Sequence, residues 1–374
     1  MKLFPGSASV QLELDKIKLL LLEKCRSEYA KSKCQRLRIH TKKEFIDIEL
    51  KQAHEFKQLL QNTIYFPNDY VLNLSRELKL LGIEGSVLNG EEFVSIRKLV
   101  ISIEKIFRWF DAERRKIYTA LAEVIEGTYY EKEILSVIDI VVNENGAVKD
   151  NASNELQSIR LSLYKKRIEL RRVFDRIISK LKKQGYLADI EESFMSGRRV
   201  VGVYAEQKRI VKGILHGESD SRRTAFVEPE ETIELNNGIT ELENAEGREV
   251  YKILKELTGQ LAPYASLLHA YHSIIGEYDF IHAKAQLAVS IKGEYPMVVD
   301  KALVHLINAC HPLLYIQLKV GETNSSCNSI IKCEQTHISN QWPKCRWQNS
   351  DFKNSGFTAN DGAKRLTGSG SSII

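Results

Sequence analysis

The sequence contains no G-x-x-x-x-G-K-[ST] element, so it offers no loop of backbone N–H groups to cradle nucleotide phosphates. It has no C-x-x-C pair either. Its six cysteines (Cys25, Cys34, Cys310, Cys327, Cys333 and Cys345) follow no regular framework, which argues against a zinc ribbon or a disulfide scaffold and leaves free thiols as the default. Proline is scarce, at 7 of 374 residues, and glycine moderate, at 21. With 43% hydrophobic and 28% charged residues, this excludes collagen-like, low-complexity and disordered chains. No stretch approaches the roughly 18–20 apolar residues of a membrane helix, and no apolar segment follows Met1-Lys2-Leu3-Phe4-Pro5. The expectation is a cytoplasmic globular protein with no membrane partner, of two or three domains at about 150 residues each.

What the chain does hold is helical periodicity. From Leu12 to about Glu126 apolar residues recur at three- and four-residue spacing, as in Ile17, Leu20, Leu21 and Cys25, and again in Leu99, Ile103, Ile106 and Phe110. Phe66-Pro67-Asn68-Asp69 and Leu88-Asn89-Gly90 read as turns between those helices. Ile138 to Val142, closed by Asn143-Glu144-Asn145-Gly146, reads as a strand or a helix end. Residues 264–291 read as helix again, and Ala302 to Ile307 as a strand.

The net charge of +5 says little by itself; its distribution says more. Asn151-Ala152-Ser153-Asn154 offers N-caps for a long helix with a seam at Leu156, Ile159, Leu163, Leu170, Val173, Ile177 and Leu181, interrupted by Lys166 and ending near Gly185. Residues 154–185 carry ten Lys or Arg against Glu155, Glu169 and Asp175. Residues 227–260 carry nine Glu against Arg248, Lys252 and Lys255, on a second helix with a face of Leu235, Ile239, Leu242, Val250, Ile253 and Leu257. Pro263 ends or kinks that helix. Between the two, Arg198 to Tyr204, Ile210 to Leu215 and Thr224 to Val227 read as short strands, with turns at Gln207-Lys208 and Gly217 to Asp220. Helix, β tip, helix describes an arm that goes out and returns. Opposite charges favour antiparallel pairing over self-association, although each exposed pair adds only tenths of a kcal/mol.

Several stretches stand in the order of a known family. Asn145 to Leu156, Gly197-Arg198-Arg199-Val200-Val201, Ala225-Phe226-Val227-Glu228-Pro229, Ile233-Glu234-Leu235-Asn236-Asn237 and Ala309-Cys310-His311-Pro312-Leu313-Leu314 resemble the second bacterial branch of the MutS family, "MutS two", over about residues 5 to 318. The resemblance implies a mainly α fold: a MutS-like helical core (lever) with a long antiparallel helical arm carrying a small β clamp tip. Mapped onto this chain, residues 1–130 are the first part of the core and 131–262 the arm and clamp, with the β tip at about 198–228. Residues 263–300 return to the core and 301–318 begin an ATPase domain. The family is associated with branched DNA and suppression of recombination, and in some bacteria with splitting collided ribosomes. Its intact members use ATP and Mg, dimerise through their ATPase domains and, in this branch, carry a C-terminal Smr nuclease domain.

The chain departs from that pattern where the chemistry belongs. With no phosphate loop and no Smr domain it is expected to hold no cofactor and to be no enzyme as it stands, with the homodimer weakened or lost. The 56 residues from Lys319 hold one leucine, Leu366, yet two of three tryptophans and three of six cysteines. Read one base later, Trp342 before Pro343 must become glycine, and so must Trp347 before Gln348. Gln348 then permits only lysine or arginine, and Asn349 threonine or isoleucine. The shifted text permits G-P-N-A-G-G-K-T, a phosphate loop. The tail at 319–374 is therefore expected to be an out-of-frame, disordered segment; reading the nucleotide sequence across codons 315 to 374 would decide between that and a natural Ser/Asn-rich tail.

Composition alone favours reading the charged tip as a solvated loop. Resemblance to the clamp makes Arg198, Arg199, Lys208, Arg209, Lys212, Arg222 and Arg223 the candidate contacts to DNA phosphates, on duplex or branched DNA, or alternatively on ribosomal RNA. Glu206, Glu218 and Asp220 dilute the patch. Tyr204 and Phe226 have the better claim among aromatics to stack on bases, with packing of the tip as the default. His311 reads as structural, and Cys327, Cys333, His337 and Cys345 fit no zinc spacing. An inert fragment remains the third reading.

Overall fold

The computed structural model describes residues 13–37, 40–69 and 73–300, with the short pieces 303–304, 312–313, 315–316 and 336–337. The expected frame slip beyond Lys319, His311 and Cys327, Cys333 and Cys345 lie outside these residues, apart from Thr336–His337, which pairs antiparallel with Leu303–Val304. Among the described residues the chain is mainly helical, with one small four-stranded antiparallel sheet. It forms two compact units, Met1–Arg76 with Lys98–Glu131 and Ser266–Ile374, and Glu77–Arg97 with Lys132–Ala265.

The first unit contains α1 (Leu14–Lys24), α2 (Glu28–Gln35), α3 (Lys43–Gln61), the short α6 (Arg114–Ile117) and α7 (Thr119–Glu123), and α11 (Ala265–Ser290). Buried side chains occur all round α11, which makes it the central helix of the unit. Phe280, Ala283 and Leu287 pack against Leu21, Cys25, Ala30 and Cys34. Gly276 lets the Tyr29 ring lie against the α11 backbone, since a Cβ there would come within 2.4 Å of that ring. Phe56, Phe66, Trp109, Phe110 and Tyr278 form an aromatic cluster of edge-on, tilted and stacked rings. The buried phenols of Tyr271 and Tyr278 donate to the carbonyls of Tyr129 (2.7 Å) and Leu121 (2.9 Å). Asp279, fully buried, accepts from the backbone N–H groups of Arg26 and Ser27 and from both their side chains, so one carboxylate anchors the start of α2.

α4 (Ser75–Leu81) precedes α5 (Gly90–Trp109), whose first part, to Arg97, belongs to the second unit and whose start is a reciprocal cap: Glu92 N–H donates to Asn89 Oδ1 (2.9 Å) and Asn89 N–H to Glu92 Oε2 (2.8 Å). Ile138 to Val142 is the end of α8 (Glu133–Val141), and Val142 makes one antiparallel bridge to Val148. The turn between them folds around Asn143 Oδ1, which accepts from Asn145 N–H and Ala147 N–H, both at 2.9 Å. α9 (Asn154–Lys183) begins at Ser153, whose hydroxyl accepts from Leu156 N–H. It ends in a left-handed Gly185 (φ 74°), with Gly185 N–H bonded to Lys182 O and Tyr186 N–H to Leu181 O.

The sheet follows: β1 (Leu187–Met195), β2 (Arg198–Tyr204), β3 (Gly213–Glu218) and β4 (Thr224–Pro229), in the order β1-β2-β4-β3. α10 (Glu230–Leu261) leaves it directly. Strand β1 was not expected. Its hairpin with β2 turns on Ser196 and Gly197, both at positive φ (50° and 76°), the conformation of a two-residue primed turn. Strand β3 runs three residues later than expected. Gly213 allows the approach to β4, because a Cβ there would lie 1.9 Å from Glu228 O, and the expected turn residues Gly217 and Glu218 are still paired. The turn itself is Ser219 to Arg223.

Candidate nucleic-acid interface

Helices α9 and α10 pack antiparallel, as their charges predicted. Leu163, Leu170 and Ile239 form the buried contact, flanked by Ile159, Leu235 and Leu242. On α9 Leu156, Leu163, Leu170 and Ile177 recur every seven residues, the repeat of a paired helix. Towards its end the same side of α9 turns to the sheet, where Phe174, Ile177 and Leu181 pack on Val201, Val203, Ala225 and Val227. Phe174 is therefore the fully buried member there, and Val173, expected in the seam, is half-buried beside it. Lys166 is accommodated by Gly238 of α10: a Cβ at that glycine would stand 2.3 Å from Lys166 Nζ.

The charge zipper between the helices is thin. Arg160 Nε donates to Glu246 (2.7 Å) and its Nη1 to Asp150, while Arg167 donates to Glu243 (2.7 Å) and Lys252 of α10 faces Glu155 of α9 (3.7 Å). Burial opposes the charge on Arg160, but its bonds to Glu246 and Asp150 outweigh that and hold it charged. Ser153 Oγ donates to Glu249 (2.8 Å), joining the start of α9 to α10. Most of the basic residues of α9 are not used in this pairing.

At the root of the tip a carboxylate is enclosed by motif residues. Glu228, fully buried at the end of β4, accepts from Arg198 Nη1 (2.8 Å), Asn236 Nδ2 (2.8 Å) and His216 Nε2 (2.7 Å). Arg198 Nη2 reaches on to Asn237 Oδ1 (2.6 Å). Desolvation pushes the Glu228 pKa up, but the bonds from Asn236, His216 and Arg198 outweigh it and the carboxyl lies below the ordinary range. Three separate sequence stretches, Gly197 to Val201, Ala225 to Pro229 and Ile233 to Asn237, thus meet in one polar knot that ties β2, β3 and β4 to α10. His216 had no signal in the sequence. Glu228 and Asn236 had one, as members of those stretches, but nothing in one dimension showed them touching.

The seven candidate cations divide. Arg198 is committed to Glu228 and Asn237. Arg199 lies over the Phe174 ring (4.4 Å to its centre) with its guanidinium on Glu192, 14% exposed. Lys208 pairs with Glu218 (2.7 Å), a bond that holds the Glu218 carboxyl below its usual value. Arg209, Lys212, Arg222 and Arg223 are exposed and make no ion pair among the described residues. Arg222 and Arg223 sit in the β3–β4 turn, with Arg222 in left-handed backbone (φ 55°). Tyr204 is 44% exposed and Phe226 only 8%, so Tyr204 alone of the two presents a ring. Phe194, 70% exposed on β1, is an aromatic the sequence reading passed over.

No family model matches the chain. Among curated proteins it is similar to the endonuclease MutS2 of Aquifex aeolicus (strain VF5), 29% identical over 308 residues, which is 82% of this chain and 40% of that protein. It is 29% identical over 307 residues to the endonuclease MutS2 of Geobacillus sp. (strain WCH70), covering 81% of this chain and 39% of the relative. The endonuclease MutS2 of Staphylococcus haemolyticus (strain JCSC1435) is 31% identical over 324 residues, 83% of this chain and 40% of the relative. The chain thus spans about 40% of the length of the curated relatives it matches. Across the stretch they share, this chain is homologous to these MutS2 proteins.

Proposed function

We propose that this chain is a MutS-like core and clamp segment that binds duplex or branched DNA through the β tip of its arm. The exposed cations Arg209, Lys212, Arg222 and Arg223 carry this reading: they project from loops of a sheet braced by α9 and α10, open to solvent and without an ion pair among the described residues, and so are available to phosphates. Arg198 and Arg199 support the tip from within. Such contacts neutralise phosphates without reading bases, so binding is weak and independent of sequence. The 374 residues hold no phosphate loop, and the reading assigns them no nucleotide hydrolysis.

A filter-binding titration of the full chain on a four-way junction and on duplex DNA, across a salt series, tests it. Affinity is expected to fall with salt, with about 0.9 added to the log–log slope for each phosphate neutralised. No retention at low salt, or retention indifferent to salt, would remove the proposal. Structured ribosomal RNA displacing the junction at lower concentration than unlabelled junction does would move the partner from DNA to RNA.

A further inference from the structure

We propose that the outward face of α9 is a second DNA contact surface, in which Lys165, Arg172, Arg176 and Lys183 form a stripe that lies along the phosphate backbone of a duplex. The proposal rests on the reading that the chain binds DNA, and extends it from the tip to the shaft of the arm.

The stripe follows from where α9 is buried. Its packed side is marked by Leu156, Leu163, Leu170 and Ile177, with Phe174 and Leu181 one turn along. At about 100° per residue, Lys165, Arg172, Arg176 and Lys183 fall within roughly 40° of one another on the far side of the helix. All four are exposed and none makes an ion pair among the described residues. Lys180, about 60° round the helix from the stripe's centre, flanks them, also exposed and also without such a pair, while Glu169 is the acid nearest the stripe, roughly 40° from its centre. Asp175, beside it, is turned towards Arg199 (4.0 Å).

Folding gives no reason for this concentration of charge. Pairing with α10 uses Arg160 and Arg167, and Lys182 is taken by Glu191. The remaining cations repel one another, as Arg172 and Arg176 do one turn apart, and like charges at that spacing weaken a helix. A polyanion laid along the stripe reverses the sign of that energy. Lys165 to Lys183 spans about 27 Å at 1.5 Å per residue, close to eight base-pair steps of a duplex. The companion helix carries Glu231, Glu234 and Glu241, all exposed, so the two sides of the arm differ in sign and a duplex has one side to approach.

The test uses the full chain and a 20-base-pair duplex, with affinity followed by fluorescence anisotropy over a salt series. The combined variant Lys165→Gln, Arg172→Gln, Arg176→Gln and Lys183→Gln keeps good helix formers at exposed positions. It is expected to lower the magnitude of the salt slope by about 3 and the low-salt affinity by at least about tenfold. An unchanged slope and affinity overturns the shaft surface while leaving the tip reading intact. Failure of the unaltered chain to bind removes both. A readout independent of any variant is acetylation of the unaltered protein followed by mass spectrometry: Lys165 and Lys183 are expected to be protected by duplex DNA, and equal modification with and without DNA overturns the proposal.

Discussion

Glu228 is the residue on which the tip depends. A carboxylate with no exposure is tolerated because three donors surround it, and removing one partner of such a set leaves the others buried without an acceptor. Glu228→Gln is therefore expected to cost about 3 kcal/mol in urea unfolding. The pH dependence has a definite sign. The folded carboxyl lies below its unfolded value, so its contribution is complete above the ordinary carboxylate range and is lost as pH falls through the folded value. The difference in stability between the unaltered chain and the variant should shrink on acidification below about pH 4, and a difference that stayed constant would show that Glu228 acts through shape alone. Arg198 shows how the site was only half legible. Its place in Gly197 to Val201 marked it as important, but the sequence could not say that its partner is Glu228, thirty residues away, rather than a phosphate.

At the level of elements, α9 and α10 differ in what holds them. Ser153 both caps α9 and bonds Glu249, so it acts on two helices. Ser153→Ala is expected to lose about 1 kcal/mol, whereas Arg167→Gln, which breaks an exposed pair with Glu243, should change stability by less than about 0.5 kcal/mol. Thermal melts of the two variants side by side check the order; an equal or larger loss for Arg167→Gln would mean that charge, not capping and packing, holds the arm. Both helices were readable because their apolar spacing is local. The sheet was read less well for physical reasons. β1 carries a bulge between Leu187 and Glu192 that breaks strict alternation, and β3 is placed by Gly213 meeting Glu228, a contact between strands that no window of sequence contains. The Ser196-Gly197 pair between two runs was the missed hairpin signal.

For the whole molecule the charge of +5 hides its arrangement. Few of the basic residues of α9 meet acids on α10, so salt should act strongly on nucleic-acid binding and weakly on folding. Raising NaCl from 50 to 500 mM, in order-of-magnitude terms, should weaken duplex binding a thousandfold or more yet change unfolding free energy by less than about 1 kcal/mol. Parallel losses in both would mean that the cations are structural. No described helix is long and apolar enough to cross a membrane.

The sequence by itself determined the helical character, the two long helices and their antiparallel pairing, and the kinship with MutS2 proteins, because period, charge blocks and ordered motifs are properties of one dimension. Only the tertiary structure decided which cations are available. Arg198, Arg199 and Lys208 are drawn inward or paired by carboxylates on neighbouring strands, while Arg209, Lys212, Arg222 and Arg223 and the outer face of α9 stay open to solvent. A charge becomes a contact or a brace according to what lies within hydrogen-bond distance of it, and that is settled by folding.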